Sequence, residues 1–508
     1  MRNFILTTLS RFIFLYSIGV SFTFQPGIVL ADNAQGSQDS DLSDFKKQLE
    51  LMEETIKKQQ EMINALKDKI ELKEAVVSKH APSYLEENEI ERVIDNYMMK
   101  KETREKMVTA GLLPQIGAYW DKGLRLKSQD DNFNLKVGGR IMDDWSWMTE
   151  NQDIEKALGN NVDTTEQRRS RFYMAGTIYE NVGYKLQLDW AGGHANFKDV
   201  FIELKRVPLL GNFRVGHTKE PYSLEMMNSS KYMTFLERGL THTFTPDRNT
   251  GFRVYNHALD KRISWSAGVF RNADAFGDSD NNDNRRTQGG YSFSGRITGL
   301  PWYEDDGAKL IHTGISYSHQ NAFTNDDGVG VDEETGFQFS AKPEINTANT
   351  FVDTGRFTAD SSNLYNPELA IVYGPFSFQS EYTFADINLK RSMEPDPHFT
   401  AFYAYGSLFM TGEHRVYKRE EGAFSRIKPN KNFRWGRGKG KGALELAARY
   451  SEIDLSNRGI NGGRLQDTTL GINWYLNPNT RVTLNYVHAN VDKLENGIQS
   501  LMMIVQIC

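Results

Sequence analysis

Cysteine is nearly absent: Cys508, at the last of 508 positions, is the only one. No disulfide can form within the chain and no cysteine metal site can be built. An exported protein of this kind needs a large core or a closed sheet for its stability. Long apolar runs are scarce as well. After the first thirty residues no stretch of eighteen apolar residues occurs, and the mean hydropathy is −0.56, which excludes a polytopic helical membrane protein. It does not exclude a membrane barrel, whose strands need only every second residue to be apolar. Positive charge is not in excess: 60 Lys and Arg stand against 66 Asp and Glu, a net charge of −6. No global basic field directs the chain to nucleic acid. Catalytic signatures are also missing. G-x-S-x-G does not occur, and His217, His257 and His312 stand singly in strand-like runs. Gly436 to Gly442 (GRGKGKG) lacks the spacing of a phosphate loop and opens no helix. Neither an enzyme nor a cofactor site is expected.

What is present begins with a leader. Arg2 is followed by the apolar stretch Phe12 to Phe24, with Arg11 on its near side, and by the small-residue sequence Val29-Leu30-Ala31. Residues 1–31 read as a secretory signal peptide; a retained anchor helix is the alternative, for which the apolar core is short. Within 32–80, Leu42, Leu49, Ile56, Ile63, Ile70 and Val77 recur every seven residues, with Phe45, Met52, Gln59, Leu66 and Lys73 between them. This heptad predicts an α-helical coiled coil, the alternative being one amphipathic helix lying on another domain. Ala81-Pro82-Ser83 breaks it. A charged helix from Tyr84 to Val108 then ends at Gly111 and Pro114, so 81–120 is expected to be a helical linker and 121–508 the main domain.

The texture changes there. Phe133, Leu135, Val137, Gly139, Ile141, Trp145 and Trp147 occupy odd positions, and Asn134, Lys136, Gly138, Arg140 and Asp144 even ones. Period two over about fifteen residues predicts a strand with an apolar and a polar face, longer than most soluble strands. The paired Trp suit an aromatic girdle at a membrane interface. Sixteen such runs occur between 133 and 507, joined by links that are mostly short on one side and long on the other. The expected fold is all-β: a sixteen-stranded antiparallel transmembrane β-barrel behind the coiled coil. One long connection, 412–441, falls on the short-turn side.

That turn is also the most basic stretch. Arg415, Lys418, Arg419, Arg426, Lys428, Lys431, Arg434, Arg437, Lys439 and Lys441 face only Glu413, Glu420 and Glu421, with Phe424, Phe433 and Trp435 interleaved. Folded into a pore it concentrates anions and offers guanidinium donors to oxyanions; left in the periplasm it attracts anionic headgroups or cell-wall polymer. Parity places Lys136, Arg140, Lys185, Arg214, Arg253, Arg296 and Arg449 on the lumen side, with Asp144, Asp189, Glu203 and Glu445. The long connection 219–249 balances Lys219, Lys231, Arg238 and Arg248 against Glu220, Glu225, Glu237 and Asp247. Its Met226, Met227, Tyr232, Met233, Phe235 and Leu236 are poorly suited to open solvent, so it is expected to fold inward and narrow the lumen. A loop covering the mouth is the alternative.

Six segments in order carry a resemblance: 121–140 (DKGLRLKSQDDNFNLKVGGR), 214–240 (RVGHTKEPYSLEMMNSSKYMTFLERGL), 363–383 (NLYNPELAIVYGPFSFQSEYT), 411–430 (TGEHRVYKREEGAFSRIKPN), 445–455 (ELAARYSEIDL) and 473–487 (NWYLNPNTRVTLNYV). The sequence resembles the phosphate-selective porins O and P of Gram-negative outer membranes. The resemblance implies a homotrimer of sixteen-stranded barrels, with basic segments folded inward to lead anions to a constriction. By position it implies anion contacts at Lys231, Arg238, Arg415, Lys418, Arg419, Arg426 and Lys428, beside the lumen arginines Arg140, Arg214, Arg253 and Arg296. Two features depart from the family: 219–249 has no net charge, and the sequence ends in Ile507-Cys508 rather than in an aromatic residue. The expected function is an anion-preferring channel for phosphate or similar oxyanions, in contact with outer-membrane lipid. The alternatives are a general, weakly selective porin and a trimeric tether that touches the cell wall through the coiled coil.

Overall fold

Alternation with period two gives a strand two chemically different faces, and the chain resolves it as long antiparallel strands. The computed structural model describes residues 116–507 except 122, 274, 278–289, 325–334, 391–394, 437–439 and 493–497. The expected signal peptide, coiled coil and linker as far as residue 115 lie outside the described residues, as does Cys508. A small hairpin comes first: β1 (Ile116–Trp120) pairs with β2 (Leu124–Ser128), and β2 pairs with the lower half of β3 (Phe133–Glu150). Residues 116–120 are therefore strand, which corrects the end expected for the helical linker. Alternating Ile116, Ala118 and Trp120 continue the period-two pattern that starts after Pro114.

The remaining long strands are β4 (Thr164–Ile178), β5 (Val182–Asp189), β6 (Asn196–Val207), β7 (Gly211–Lys219), β8 (Arg248–Ala258), β9 (Ile263–Arg271), β10 (Tyr291–Glu304) and β11 (Lys309–Asn321). They continue with β12 (Phe357–Tyr373), β13 (Phe376–Leu389), β14 (His398–Phe409), β15 (Ala443–Asn457), β16 (Ile460–Asn477), β17 (Thr480–Asp492) and β18 (Ile498–Ile507). From β3 onward each pairs antiparallel with the next. The last returns to the first, with Ser500 opposite Glu150 and Ile507 opposite Asp143.

Burial along these strands is inverted relative to a soluble sheet. Ile297, Ile315 and Leu470 are about half exposed (51–52%), while Ser294, Ser316 and Thr469 on the opposite parity are fully covered. In β3 the predicted parity holds through the upper half: Ile141, Trp145 and Trp147 face out, and Met142, Asp144 and Ser146 are buried. Such a surface is favourable against lipid or another apolar surface and not in water. Exposed Trp120, Trp145, Trp147, Trp190 and Trp474 suit the girdle positions.

Two connections differ from expectation. β4 starts at Thr164, seven residues earlier than its apolar alternation suggests, and the shortened loop before it holds helix α1 (Gln152–Leu158), N-capped by Asn151. β15 and β16 meet through Arg458 and Gly459 alone, with φ of 46° and 88°. Two consecutive positive φ values make the mirror-type hairpin turn that glycine favours. The long–short alternation of links is broken there.

Two loops fill the interior. Segment 220–247, between β7 and β8, and segment 322–356, between β11 and β12, pack together through Tyr222, Leu236, Leu240 and Phe244 on one side and Phe339, Phe351 and Val352 on the other. Phe244 meets Phe339 edge to face at 5.1 Å.

Candidate functional site: a cation-lined lumen

The inward fold of 220–247 follows from its composition, since six large apolar residues gain by burial what the strands' lumen side chains supply in hydrogen bonds. Ser223 N–H donates to Ser316 Oγ (3.1 Å). The Glu381 carboxylate accepts from Leu224 N–H (3.0 Å) and Glu225 N–H (2.7 Å), where the one-turn helix α2 (Leu224–Met227) begins. Asn473 donates to the Thr234 carbonyl (2.8 Å), and Arg481 to that of Met233. Gly239 runs so close to Tyr403 that a Cβ would lie 2.9 Å from the ring, a contact a larger residue would have to relieve by shifting the loop.

The other side of this segment faces a cavity of about 870 Å³. Sixteen Lys and Arg line it against four Asp and Glu. All four acids are engaged: Asp199 by Lys185 (2.5 Å) and Arg248 (2.8 Å), Asp247 by Arg248 (3.0 Å), Glu420 by Lys261 (2.5 Å), and Glu421 by Lys418. Among the described residues, no carboxylate lies within ion-pair distance of Arg140, Lys198, Lys219, Arg238 or Arg253. Arg140 donates to Ser230, Lys219 to the carbonyls of Met226 and Asn228 (3.1 Å to the latter), Arg238 to that of Glu225 (3.2 Å), and Arg253 to Ser266 Oγ (2.7 Å). Held by neutral partners, these groups have no acid beside them among the described residues to offset their charge toward the lumen.

Several of the remaining lining cations are positioned by acids behind them. Arg214 pairs with Glu203 (2.6 Å) while stacking 3.8 Å over Phe201, Arg171 pairs with Asp189 (2.5 Å), and Arg296 with Glu368 (2.8 Å). Glu237 grips Arg168 (2.5 Å) and Arg169 (3.5 Å) together. Burial alone would raise its carboxyl, but Arg168 and Arg169 hold it down at about 2. His242, also lining the cavity, is brought down to about 3 by burial and by Arg238, and stays neutral.

A second cavity, of about 710 Å³, shares Arg140 and Arg171 and adds Lys231, Arg426 and Arg481, with no acid in its lining. Burial, with Arg140 and Arg426 beside it, brings Lys231 down to about 7. Arg426 donates to Asn479 Oδ1 (2.6 Å).

The basic turn 412–441 divides in two. Its first half folds inward: Phe424 N–H donates to Asn228 Oδ1 (2.8 Å), joining it to segment 220–247, Tyr417 O–H meets His312 (2.6 Å), and Arg296 donates to the Gly422 carbonyl (2.7 Å). Its second half stays outside, with Lys428, Lys431, Arg434 and Lys441 exposed and Trp435 85% exposed.

Of the residues singled out from sequence, Arg140, Arg214, Arg238, Arg253, Arg296, Lys418 and Arg419 line the first cavity, and Lys231 and Arg426 join Arg140 at the second. Three lie elsewhere. Arg415 is buried in the wall, donating to Gln379 Oε1 (3.0 Å) and stacked 3.6 Å over Phe424. Arg449 is covered by the inward loop and bound to Glu344 and Glu225. Lys428 sits on the outer half of the turn and lines neither cavity. Parity places a side chain inside, but a loop folded across the interior decides whether it meets the pore. Arg168 and Arg169 were not foreseen. The β3–β4 register slips between Met142 and Asp143, so Arg168 is the extra residue of a bulge. A bulge turns two consecutive side chains toward one side, and the signal available was the run Gln167-Arg168-Arg169-Ser170-Arg171 at the head of a strand.

An apolar exterior around an interior with a strong excess of fixed cations defines the porin class of outer-membrane β-barrels. Residues 135–499 match the phosphate-selective porin O and P family, and the chain belongs to it. Porin O of Pseudomonas aeruginosa is 25% identical over 417 residues, covering 74% of this chain and 87% of that protein. Solved structures to which the chain is similar include an anion-selective porin from Comamonas acidovorans (11% identity, TM-score 0.45, 74% of this chain and 99% of that one). The outer-membrane channel DcaP of Acinetobacter baumannii is another (10% identity, TM-score 0.46, 75% and 98%). The protein resides in the Gram-negative outer membrane, and its relatives are channels rather than enzymes.

Proposed function

We propose that the protein is a water-filled, anion-preferring channel that admits phosphate or similar oxyanions passively through a sixteen-stranded barrel. The observation that carries this reading is the lining of the larger cavity, sixteen cations against four acids that are all already paired. In a confined lumen of reduced dielectric such an excess raises the local anion concentration and repels cations. Guanidinium groups present paired donors that match the edge of a phosphate, while chloride uses one at a time. The succession of such groups along the lumen lets an ion be passed on rather than trapped. The barrel assembles as a homotrimer, follows a cleaved signal peptide, and carries its coiled coil on the periplasmic side; these readings rest on the heptad, the leader and the family resemblance.

A second reading is favoured by one observation. The outer half of the basic turn exposes cations beside Trp435, which packs on Phe433 (5.1 Å) and through it on Trp474 (5.1 Å). This half suits contact with anionic envelope components, while the inner half serves the pore. The channel reading is tested by adding phosphate to a chloride-carrying bilayer. Phosphate should block chloride current in the parent and much less in a triple variant with Arg140→Gln, Lys231→Gln and Arg253→Gln. Equal block in both would remove these cations from the ion path.

A further inference from the structure

The cations of the larger cavity are gathered on one part of the wall. The cavity cations come from β2 to β10, the inward segment and the basic turn. Five buried carboxylates, Glu344, Glu368, Glu381, Glu445 and Asp467, come instead from β12, β13, β15, β16 and the 322–356 loop, and none of them lines either cavity. Segment 222–244 touches both sides. Toward the pore it presents Tyr232, Arg238 and His242. Toward the acids it offers the Leu224 and Glu225 amides to Glu381, and the Thr234 carbonyl to Asn473, which also donates to Glu445 (3.0 Å). It also places the Glu237 carbonyl on Arg449 (3.0 Å), the residue that binds Glu344. Asp467 is wholly covered, and neither of its carboxylate oxygens has a hydrogen-bond partner among the described residues. Open to a water-filled lumen, these carboxylates would be hydrated and ionised and would draw cations.

We propose that segment 222–244 is a charge mask, which sets selectivity by shielding an acidic wall from the conduction path and not by its own charge. Glu225 and Glu237 balance Lys231 and Arg238 within it, so its net charge is zero. A tethered loop that excludes water from carboxylates disfavours their charged form, and the guanidinium groups of Arg449 and Arg296 neutralise Glu344 and Glu368, so little of their field reaches the pore. The cost of burying them is offset at Glu381 by backbone amides, at Glu344 and Glu368 by guanidinium groups and at Glu445 by the Asn473 amide, and among the described residues is left uncompensated at Asp467. The inference builds on the anion-preferring reading, but it predicts a change in preference and not its absolute value.

The test replaces 222–244 by a short Gly-Ser bridge in the full chain and measures reversal potential in a KCl gradient. The deletion takes Lys231 and Arg238 from the cavity linings but frees Arg168 and Arg169 from Glu237, so a passive role for the segment predicts little change in anion preference. The mask predicts instead a shift toward cations of at least tenfold in permeability ratio. Adding Glu445→Gln and Asp467→Asn to the deletion should reverse much of that shift, while the same pair in the intact channel should leave its preference unaltered. Retained anion preference after deletion, or failure of the pair to reverse the shift, overturns the mask; a parent channel without anion preference overturns the functional reading instead. Should the deletion fail to assemble, Asp467→Cys in a Cys508→Ser background decides the question. A charged methanethiosulfonate should leave it unmodified over a time that fully labels Lys418→Cys, and comparable labelling of the two would contradict the mask.

Discussion

Replacing Ile297 by Arg asks whether the apolar face meets lipid. Ile297 is the seventh residue of fourteen in β10, close to the middle of the strand, and 52% of its surface is exposed. On a soluble sheet, exchanging a half-exposed Ile for Arg changes stability by no more than about 0.5 kcal/mol, because the new charge stands in water. At the midplane of a bilayer the same exchange costs about 2–4 kcal/mol, through desolvation of the guanidinium and local thinning of the lipid. The lumen control is Lys198→Gln. Lys198 lines the larger cavity and has no carboxylate within ion-pair distance among the described residues, so its loss should cost at most about 0.5 kcal/mol. Both variants would be refolded into phosphatidylcholine vesicles and titrated with urea, following tryptophan fluorescence and the heat-modifiable band on gels. A difference of at least about 2 kcal/mol between them is expected from the lipid cost. Equal midpoints would refute the assignment of outward and inward faces.

Arg415→Ala should destabilise the barrel by about 2 kcal/mol, since it removes a buried charged hydrogen bond to Gln379 and a stack on Phe424; thermal melting checks this, and a melt unchanged from the parent would contradict its burial. Neutralising Lys418 and Arg419 together should weaken anion preference, whereas neutralising Lys428 and Lys431 should not, and the reverse ranking would place the wrong half of the turn at the pore. Lys231, brought to about 7 by burial and the neighbouring Arg140 and Arg426, is an ammonium below that pH and a neutral amine above it. Anion preference should therefore fall as pH rises from about 6 to about 8, centred on that value, and Lys231→Met should flatten the profile; a profile identical in parent and variant would show that Lys231 does not report to the pore. Glu237→Gln removes the carboxylate that Arg168 and Arg169 share, so reversal potential should move further toward anions, and a move toward cations would contradict the pairing.

The strands were legible because a two-faced sheet writes period two into the sequence, and each run read as a strand overlaps an observed one. The inward course of 220–247 was legible from its methionines and aromatics; Phe235 is buried with Tyr403 and Phe244 packs on Phe339, while Met227 and Tyr232 line the larger cavity. Other features depend on pairings far apart in the chain. Nothing near Arg168 in sequence announces the register slip against Met142 and Asp143 that turns it inward. Arg449 and Arg253 share the same lumen-facing parity, yet one is sealed under the loop and the other lines the cavity, because the loop crosses only one wall. The zero net charge of 219–249 argued against strong selectivity; it did so by summing charges that the fold places on different sides. The turn 412–441 read as one basic unit, and Phe424, anchored on Asn228, draws only its first half inward.

The central claim is that fixed cations govern permeation, and zero-current potential in a planar bilayer under a tenfold KCl gradient tests it most directly. The account predicts a potential of the sign set by chloride, shrinking as salt is raised on both sides because screening shortens the reach of the lining charges. A potential of the sign set by potassium at low salt would contradict it.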